Sequence, residues 1–303
     1  MAVYTQLTYD NVQEFLTGYD LGELVNFKGI ANGITNTNYF IITTKGQFVL
    51  TIFENTSIDD IMKIVQLLAY LEIFNLPIPK PLQDYSEKVV NFIFQKPAFL
   101  CSRLTGESVI NPTMTHCQQI GKHLAELHQC THSYDFPLQN SYNLNQLQLL
   151  YAELSFTDAD KELVIDELYY QSQQSYSHLP SGVIHSDLFR DNVLFENDSL
   201  TGIVDFHSAC FDILLWDIAV AINDWCIEFG KQCFSKYQIL LNEYQKVRPL
   251  SVEELKMLPS LLRLTALRFW LSRIRYNEIH FDSFLLSKNP DEYKQLLIYY
   301  RQK

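Results

Sequence analysis

Between Val183 and Phe206 the chain reads VIHSDLFRDNVLFENDSLTGIVDF. Three oxygen-bearing side chains in it could do chemistry together: Asp187, Asn192 and Asp205. The apolar pair Val183-Ile184 reads as the end of a strand, and the polar run His185 to Asn192 as a loop. Val193-Leu194-Phe195 and Ile203-Val204 flank the turn-forming Glu196-Asn197-Asp198-Ser199 and read as a hairpin. This places Asp187, Asn192 and Asp205 at the same end of that hairpin. Oxygen ligands so grouped suit a hard divalent cation and a hydroxyl that must lose its proton. A polar turn that happens to hold acids is the bland alternative. Residue types, internal spacing and the separation of the two halves all speak against it.

Other elements must hold that stretch in place. Residues 8 to 18 read as a short helix with Thr8 as N-cap and Gly18 as its stop. Asn26 to Ile42 reads as two strands joined by a polar turn carrying Gly33, Thr35 and Asn36, and Gln47 to Phe53 as a third. A glycine-bearing turn there could lie over phosphates, and equally could be an ordinary hairpin. Residues 57 to 74 repeat Ile58, Ile61, Ile64, Val65, Leu68 and Leu71 at helical steps, with Ser57 as cap. Strands are expected over Val89 to Gln95 and Ala98 to Arg103, then a connector at Thr105-Gly106. Helices are expected over 112 to 130, over 143 to 177 with a break near Thr157-Asp158, and over Asp212 to Trp225. Tyr237 to Tyr244, Val252 to Arg275 and Asp291 to Tyr299 also carry helical spacing. His128 and His132 stand four apart, as metal ligands on a helix do, but no third ligand accompanies them and they read as ordinary helix residues. The organisation is a small strand-rich lobe over 1–103, then a larger helical lobe over 104–303.

The 303 residues suggest about two domains, and 47% apolar content is ample for a core. A formal net charge of -12 argues against nucleic acid as a partner and does not disfavour a cationic acceptor. No CxxC pair occurs among six cysteines, which reads as reduced thiols in the cytoplasm. The N-terminus lacks the pattern of a secretory signal, and no run approaches the roughly 18 apolar residues of a membrane span, so no membrane role is expected.

His185-x-Asp187-x-x-x-x-Asn192 followed by Asp205-Phe206 follows the sequence logic of a eukaryotic-like kinase core. In that chemistry Asp187 accepts the substrate hydroxyl proton, and Asn192 and Asp205 hold Mg²⁺ on the triphosphate. His185 reads as ordering the loop. Asp217, in an apolar helix, reads as a buried acceptor bracing the loop backbone, since a buried carboxylate needs such partners. With the flanking stretches HSDLFRDNVLF, GIVDF, DWC, YDLGELVNFKGIANGITNTNYFI, FVLTIFE and ALRFWLSR, the chain resembles, over nearly its whole length, the bacterial homoserine kinases built on the aminoglycoside-phosphotransferase-like kinase fold.

The resemblance implies an α+β, bilobal protein-kinase-like fold. Its N-terminal nucleotide-binding lobe would be a small antiparallel sheet, and its C-terminal lobe, mainly helical, would be catalytic and substrate-binding. It implies phosphoryl transfer from ATP, with Mg²⁺, to L-homoserine, giving O-phospho-L-homoserine, a step toward threonine. Asp187 would be the catalytic aspartate, and Asn192 and Asp205 the metal ligands. The turn with Gly33, Thr35 and Asn36 would cover the phosphates, and backbone near Ser102 and Leu104 would meet adenine. The chain departs from the wider kinase pattern in two places. Threonine (Thr51) stands where the third strand usually supplies a lysine, a feature this homoserine kinase group shares, and Lys28 is the nearest replacement cation. His207 stands where a kinase DFG motif has glycine, so the loop after Asp205 is not expected to flip. A substrate carboxylate is best held by a bidentate arginine, and Arg190, Arg268 and Arg273 are the candidates. Two alternatives stay open: another small alcohol (an aminoglycoside, choline or another amino alcohol) as acceptor, or a nucleotide-binding pseudokinase module.

Overall fold

Thr8, in an extended conformation, turns the chain into helix α1 (Tyr9–Leu16) through a capping box. Its side chain accepts from the Asn11 N–H, and the Asn11 side chain accepts from the Thr8 N–H. Such a cap contributes about 1 kcal/mol. The chain is seen here as a computed structural model that describes residues 4–30, 36–279 and 289–303. It divides into two compact units, with the main-chain boundary between Thr105 and Gly106.

The first unit is built on one antiparallel sheet in the order β1-β2-β3-β5-β4. Its strands are β1 (Leu24–Ile30), β2 (Thr37–Thr43), β3 (Gly46–Ile52), β4 (Asn91–Ile93) and β5 (Lys96–Ser102). Alternation decides which face is buried. Tyr39, Ile41, Leu50, Ile52 and Leu100 pack with Val12 and Leu16 of α1 in one apolar core. On the other face Phe99 and Cys101 meet Ile61 and Val65 of α2 (Ile58–Glu72), whose first turn is capped by Ser57. Thr51 lies opposite Asn38 in the β2–β3 register, and its hydroxyl donates to Asn38 Oδ1 at 2.7 Å. A neutral hydroxyl–amide pair therefore occupies the third-strand position where other kinases carry lysine.

The second unit is mainly helical. It contains β6 (Glu107–Ser108), α3 (Met114–Cys130), α4 (Leu144–Glu153), α5 (Asp158–Ser172), β7 (Ser181–Ile184), β8 (Val193–Glu196), β9 (Ser199–Ile203) and β10 (Cys210–Ile213). Helices α6 (Leu214–Trp225), α7 (Phe234–Val247), α8 (Val252–Ile279) and α9 (Asp291–Arg301) follow, with a short ladder of β11 (Ile227–Glu228) and β12 (Lys231–Gln232) between α6 and α7. The expected hairpin is β8–β9, with Asn197 and Asp198 both left-handed in its turn, the geometry of a tight turn that matches strand twist. The strand ending on Ile184 pairs with β10, which takes in Asp212 and Ile213, where the expected helix begins. Apolar residues fill α6 apart from Asp217, Asn223 and Asp224, so their spacing could not mark where the helix begins. The structure starts it at Leu214 and gives Asp212 to the strand, where its carboxyl accepts from the Ile213 N–H and the Asn140 amide. Among the described residues no helix is long and apolar enough to cross a membrane.

Helices α3 and α7 cross closely at Gly121. A Cβ there would stand 2.1 Å from the Leu240 carbonyl oxygen, which is backbone and cannot turn aside. Gly121→Val is expected to destabilise the protein by about 3 kcal/mol, the upper part of the range for overpacking a close contact. A thermal unfolding midpoint equal to wild type would show that the crossing yields without cost.

Candidate active site

The polar loop begins where β7 ends. Asp217, fully buried in α6, accepts the backbone N–H groups of His185 and Ser186, each at 2.6 Å and each on its own carboxylate oxygen. Ser186 is held left-handed at φ 65°, a conformation that a non-glycine residue adopts only when its surroundings enforce it. The buried His185 ring fixes the next link. Its Nε2 contacts the Val204 carbonyl at 2.9 Å, and its Nδ1 accepts from the Asp187 N–H at 3.3 Å. Trp225 Nε1–H donates to the Leu188 carbonyl at 2.9 Å. Asp224 accepts the Arg190 N–H at 2.7 Å and the Arg190 guanidinium at 3.1 Å on each oxygen. Burial pushes the Asp224 carboxyl up, and the charge and N–H groups of Arg190 draw it back. Asp217, Asp224 and Trp225 lie seven and eight residues apart, so they share a face of α6. One helix thus grips the loop at four successive points.

The gripped loop presents Asp187. Its Oδ1 lies 3.4 Å from Arg268 Nη1, and its Oδ2 accepts from Asn192 Nδ2 at 3.2 Å. The same Asn192 amide donates to the Asp187 carbonyl at 2.8 Å. With both amide hydrogens directed at Asp187, Asn192 keeps its Oδ1 as an acceptor. The Asn192 carbonyl accepts from the Val204 N–H at 2.9 Å, so Asn192 and Asp205 leave the same end of the hairpin. Asp205 is left-handed, its side chain is 44% exposed, and the His207 ring is 4.0 Å away. No cluster of three or more His, Cys, Asp or Glu fit for a metal lies among the described residues. One exposed carboxylate and one amide oxygen nonetheless match a hard cation that keeps waters and shares substrate phosphates.

The three arginine candidates part company. The fork of Arg190 is taken by Asp224, and its Nη1 donates to the Ile110 carbonyl at 2.7 Å, so it braces the loop. Arg273 is likewise engaged, donating to the Asn289 carbonyl at 2.8 Å and to Glu292 at 2.7 Å while lying over the Tyr293 ring. Arg268 differs. It is 4% exposed, sits beside Asp187, and lies between the rings of Tyr142 and Phe269 at 4.2 and 3.6 Å. Among the described residues its Nε is buried without a hydrogen-bond partner. Gly33 and Thr35 lie outside the described residues, and Asn36 is buried. Lys28 is exposed on β1. Ser102 ends β5, and the Leu104 backbone makes no backbone hydrogen bond among the described residues.

Sequence reasoning missed Asp224, Trp225, Tyr142 and Phe269. Two acids seven apart in an otherwise apolar helix were a usable signal for Asp224. No local signal existed for Tyr142, which is 126 positions from the arginine it stacks on.

The sequence matches the phosphotransferase enzyme family over residues 26–250. It is 37% identical to the homoserine kinase of Methylobacillus flagellatus, over 98% of this chain and 94% of that protein. It is 36% identical to the homoserine kinase of Agrobacterium fabrum, over 99% and 96%. Among solved structures, an amicoumacin kinase in complex with AMP-PNP, Ca²⁺ and Ami superposes with a TM-score of 0.75 at 16% identity, covering 96% of this chain and 91% of that one. The choline kinase LicA of Streptococcus pneumoniae gives 0.71 at 14% identity, over 97% and 99%. These two likenesses establish the protein-kinase-like fold.

Proposed function

The chain belongs to the phosphotransferase enzyme family, among the homoserine kinases, and on that basis we propose that it transfers the γ-phosphoryl group of ATP to the hydroxyl of L-homoserine, giving O-phospho-L-homoserine for threonine biosynthesis. The observation that carries the reading is the Asp187 carboxylate, held from both sides by Arg268 and Asn192 on a loop braced by α6.

Asp187 receives the acceptor hydroxyl. Its fixed oxygens orient that hydroxyl for in-line attack and take its proton as the new P–O bond forms and the bond to ADP breaks. Holding the hydroxyl ready removes much of the entropy cost of bringing two reactants together. Asn192 Oδ1 and the Asp205 carboxylate would hold Mg²⁺, which when bound would supply positive charge to the triphosphate oxygens. For the nucleotide we assign the turn carrying Gly33, Thr35 and Asn36, together with Lys28, to the phosphates, and the backbone at Ser102 and Leu104 to adenine. Residues 1–103 form the nucleotide-binding lobe in this reading, and 104–303 the catalytic and substrate-binding lobe. None of the six cysteines is in a disulfide, and we propose a reducing cytoplasm as the place of action.

Arg268 is the residue we assign to the homoserine carboxylate. In homoserine only three carbons separate the hydroxyl oxygen from the carboxylate, and the guanidinium lies 3.4 Å from Asp187. Its two aromatic neighbours hold it in one orientation before substrate arrives. Arg268→Lys keeps the charge and loses the planar fork, so KM for homoserine is expected to rise about tenfold, the worth of one lost charge-assisted hydrogen bond. Turnover of 3-amino-1-propanol, which lacks the carboxylate, should change little in the same variant. Equal losses on both acceptors, or a change in thermal stability alone, would return Arg268 to a structural role. The reaction itself is checked by ³¹P NMR of wild-type enzyme with ATP and homoserine. A phosphate monoester on the homoserine hydroxyl is expected, and release of inorganic phosphate alone would reject the transfer.

A further inference from the structure

We infer that His128 is a positioning residue for phosphoryl transfer, acting on Asp187 through Asp217 as one link of a one-way hydrogen-bond chain. The inference rests on the reading of Asp187 as the group that takes the acceptor proton.

His128 lies in α3, its side chain fully buried, while His132, four residues on, is exposed. Its ring touches two groups. Nδ1 is 2.7 Å from the Tyr244 hydroxyl on α7, and Nε2 is 3.2 Å from Asp217 Oδ2 on α6. The chain continues outward. Arg248 Nη1 donates to the Tyr244 hydroxyl oxygen at 3.2 Å, and Arg248 Nη2 donates to Glu254 at 2.8 Å.

Each link sets the direction of the next. Arg248 can only donate, so the Tyr244 oxygen accepts from it and turns its own hydrogen toward His128 Nδ1. An imidazole that accepts at Nδ1 carries its hydrogen on Nε2, which points at Asp217. Burial holds His128 below the usual imidazole range, and Asp217 pulls the other way; the neutral tautomer needs only one ring hydrogen, and the chain places it on Nε2. From Arg248 Nη1 inward, each donor therefore runs toward Asp217 Oδ2, the oxygen that also receives the His185 N–H at 2.6 Å.

That placement bears on the chemistry rather than on packing alone. The two oxygens of Asp217 hold His185 and Ser186 separately, so the tilt of the carboxylate sets the left-handed turn at Ser186. Asp187 is the next residue. Without the His128 donor, Asp217 can rotate about its side-chain bonds, and the turn moves with it. A displacement near 1 Å at a reacting group costs about 10²-fold in rate. Substrate binding depends on other residues and is left in place.

The test compares wild type, His128→Leu, His128→Gln and Tyr244→Phe, assayed well below the lowest unfolding midpoint of the set. His128→Leu is expected to lower kcat by about 10- to 10²-fold with KM for ATP and homoserine within about threefold. In His128→Gln the amide nitrogen stands near the position of Nε2 and can donate to Asp217, so kcat should return to within about fivefold of wild type. Tyr244→Phe frees the tautomer and should give a smaller fall in kcat, with KM again unmoved. Wild-type kcat in His128→Leu, or no recovery in His128→Gln, overturns the inference. If His128→Leu fails to fold, Tyr244→Phe decides alone, and an unchanged kcat there overturns it. Asp187→Asn run alongside keeps the two readings apart. An inactive Asp187→Asn with fully active His128 variants removes only the relay.

Discussion

Asp187→Asn is expected to lower kcat by about 10²-fold or more while leaving ATP affinity unchanged, the loss typical of removing a general base. The substitution keeps the size of the side chain and removes its ability to take a proton. It also replaces one of two acceptor oxygens with an NH₂ group facing a donor, since Arg268 and Asn192 approach Asp187 from opposite sides. Both effects act on the reacting end of the site. The phosphate and adenine contacts proposed above lie at or before Leu104 and are untouched. Steady-state kinetics with an independent nucleotide-binding titration separates the two quantities. An unchanged kcat would remove Asp187 from its role, and a lost ATP affinity would mean that the variant disturbs more than the base.

Asp205→Asn is expected to raise the Mg²⁺ concentration for half-maximal activity by about tenfold or more. Losing even an outer partner of a metal ligand costs about 10- to 100-fold in metal affinity, and Asp205 is placed as a direct ligand. Asparagine is the right probe because it tolerates the left-handed backbone, here φ 65° and ψ 58°, better than other residues, so the loop can keep its shape. It retains an oxygen ligand and loses the charge. KM for homoserine should stay near wild type, as should the unfolding midpoint. Mg²⁺ titration of activity is the measurement. An unshifted Mg²⁺ requirement would take Asp205 out of the metal set.

The parts of the site that were legible in the sequence are those held together by short separations. Asp187, Asn192 and Asp205 lie within one loop and one hairpin, so their spacing alone brings them to one end. The caps at Thr8 and Ser57 are local in the same sense. Distant pairing was not legible. Arg268 and Arg273 look alike in sequence, each a cation in an otherwise apolar helix, and Arg190 in the polar loop is a comparable candidate. Only their partners distinguish them: Asp224 for Arg190, Glu292 for Arg273, and Asp187 with two aromatic rings for Arg268. His128, read as an ordinary helix residue despite its spacing from His132, meets a carboxylate on another helix. The strand Cys210–Ile213 was hidden because the apolar helix after it gives no edge to read, and its pairing with β7 is set by residues nearly thirty positions earlier. The acceptor was named by resemblance in the sequence around the kinase core, and the homoserine kinase relatives carry that same identity.

The central claim is the pairing of this site with homoserine, and a comparison of acceptors addresses it most directly. ATP-dependent ADP release would be followed by coupled assay with L-homoserine, L-serine, choline and kanamycin under one set of conditions. The kcat/KM for homoserine is expected to exceed each of the others by about 10²-fold or more, as a site built around polar partners discriminates. A higher kcat/KM for choline or kanamycin would move the enzyme to another acceptor, and nucleotide binding with no turnover of any alcohol would contradict the kinase itself.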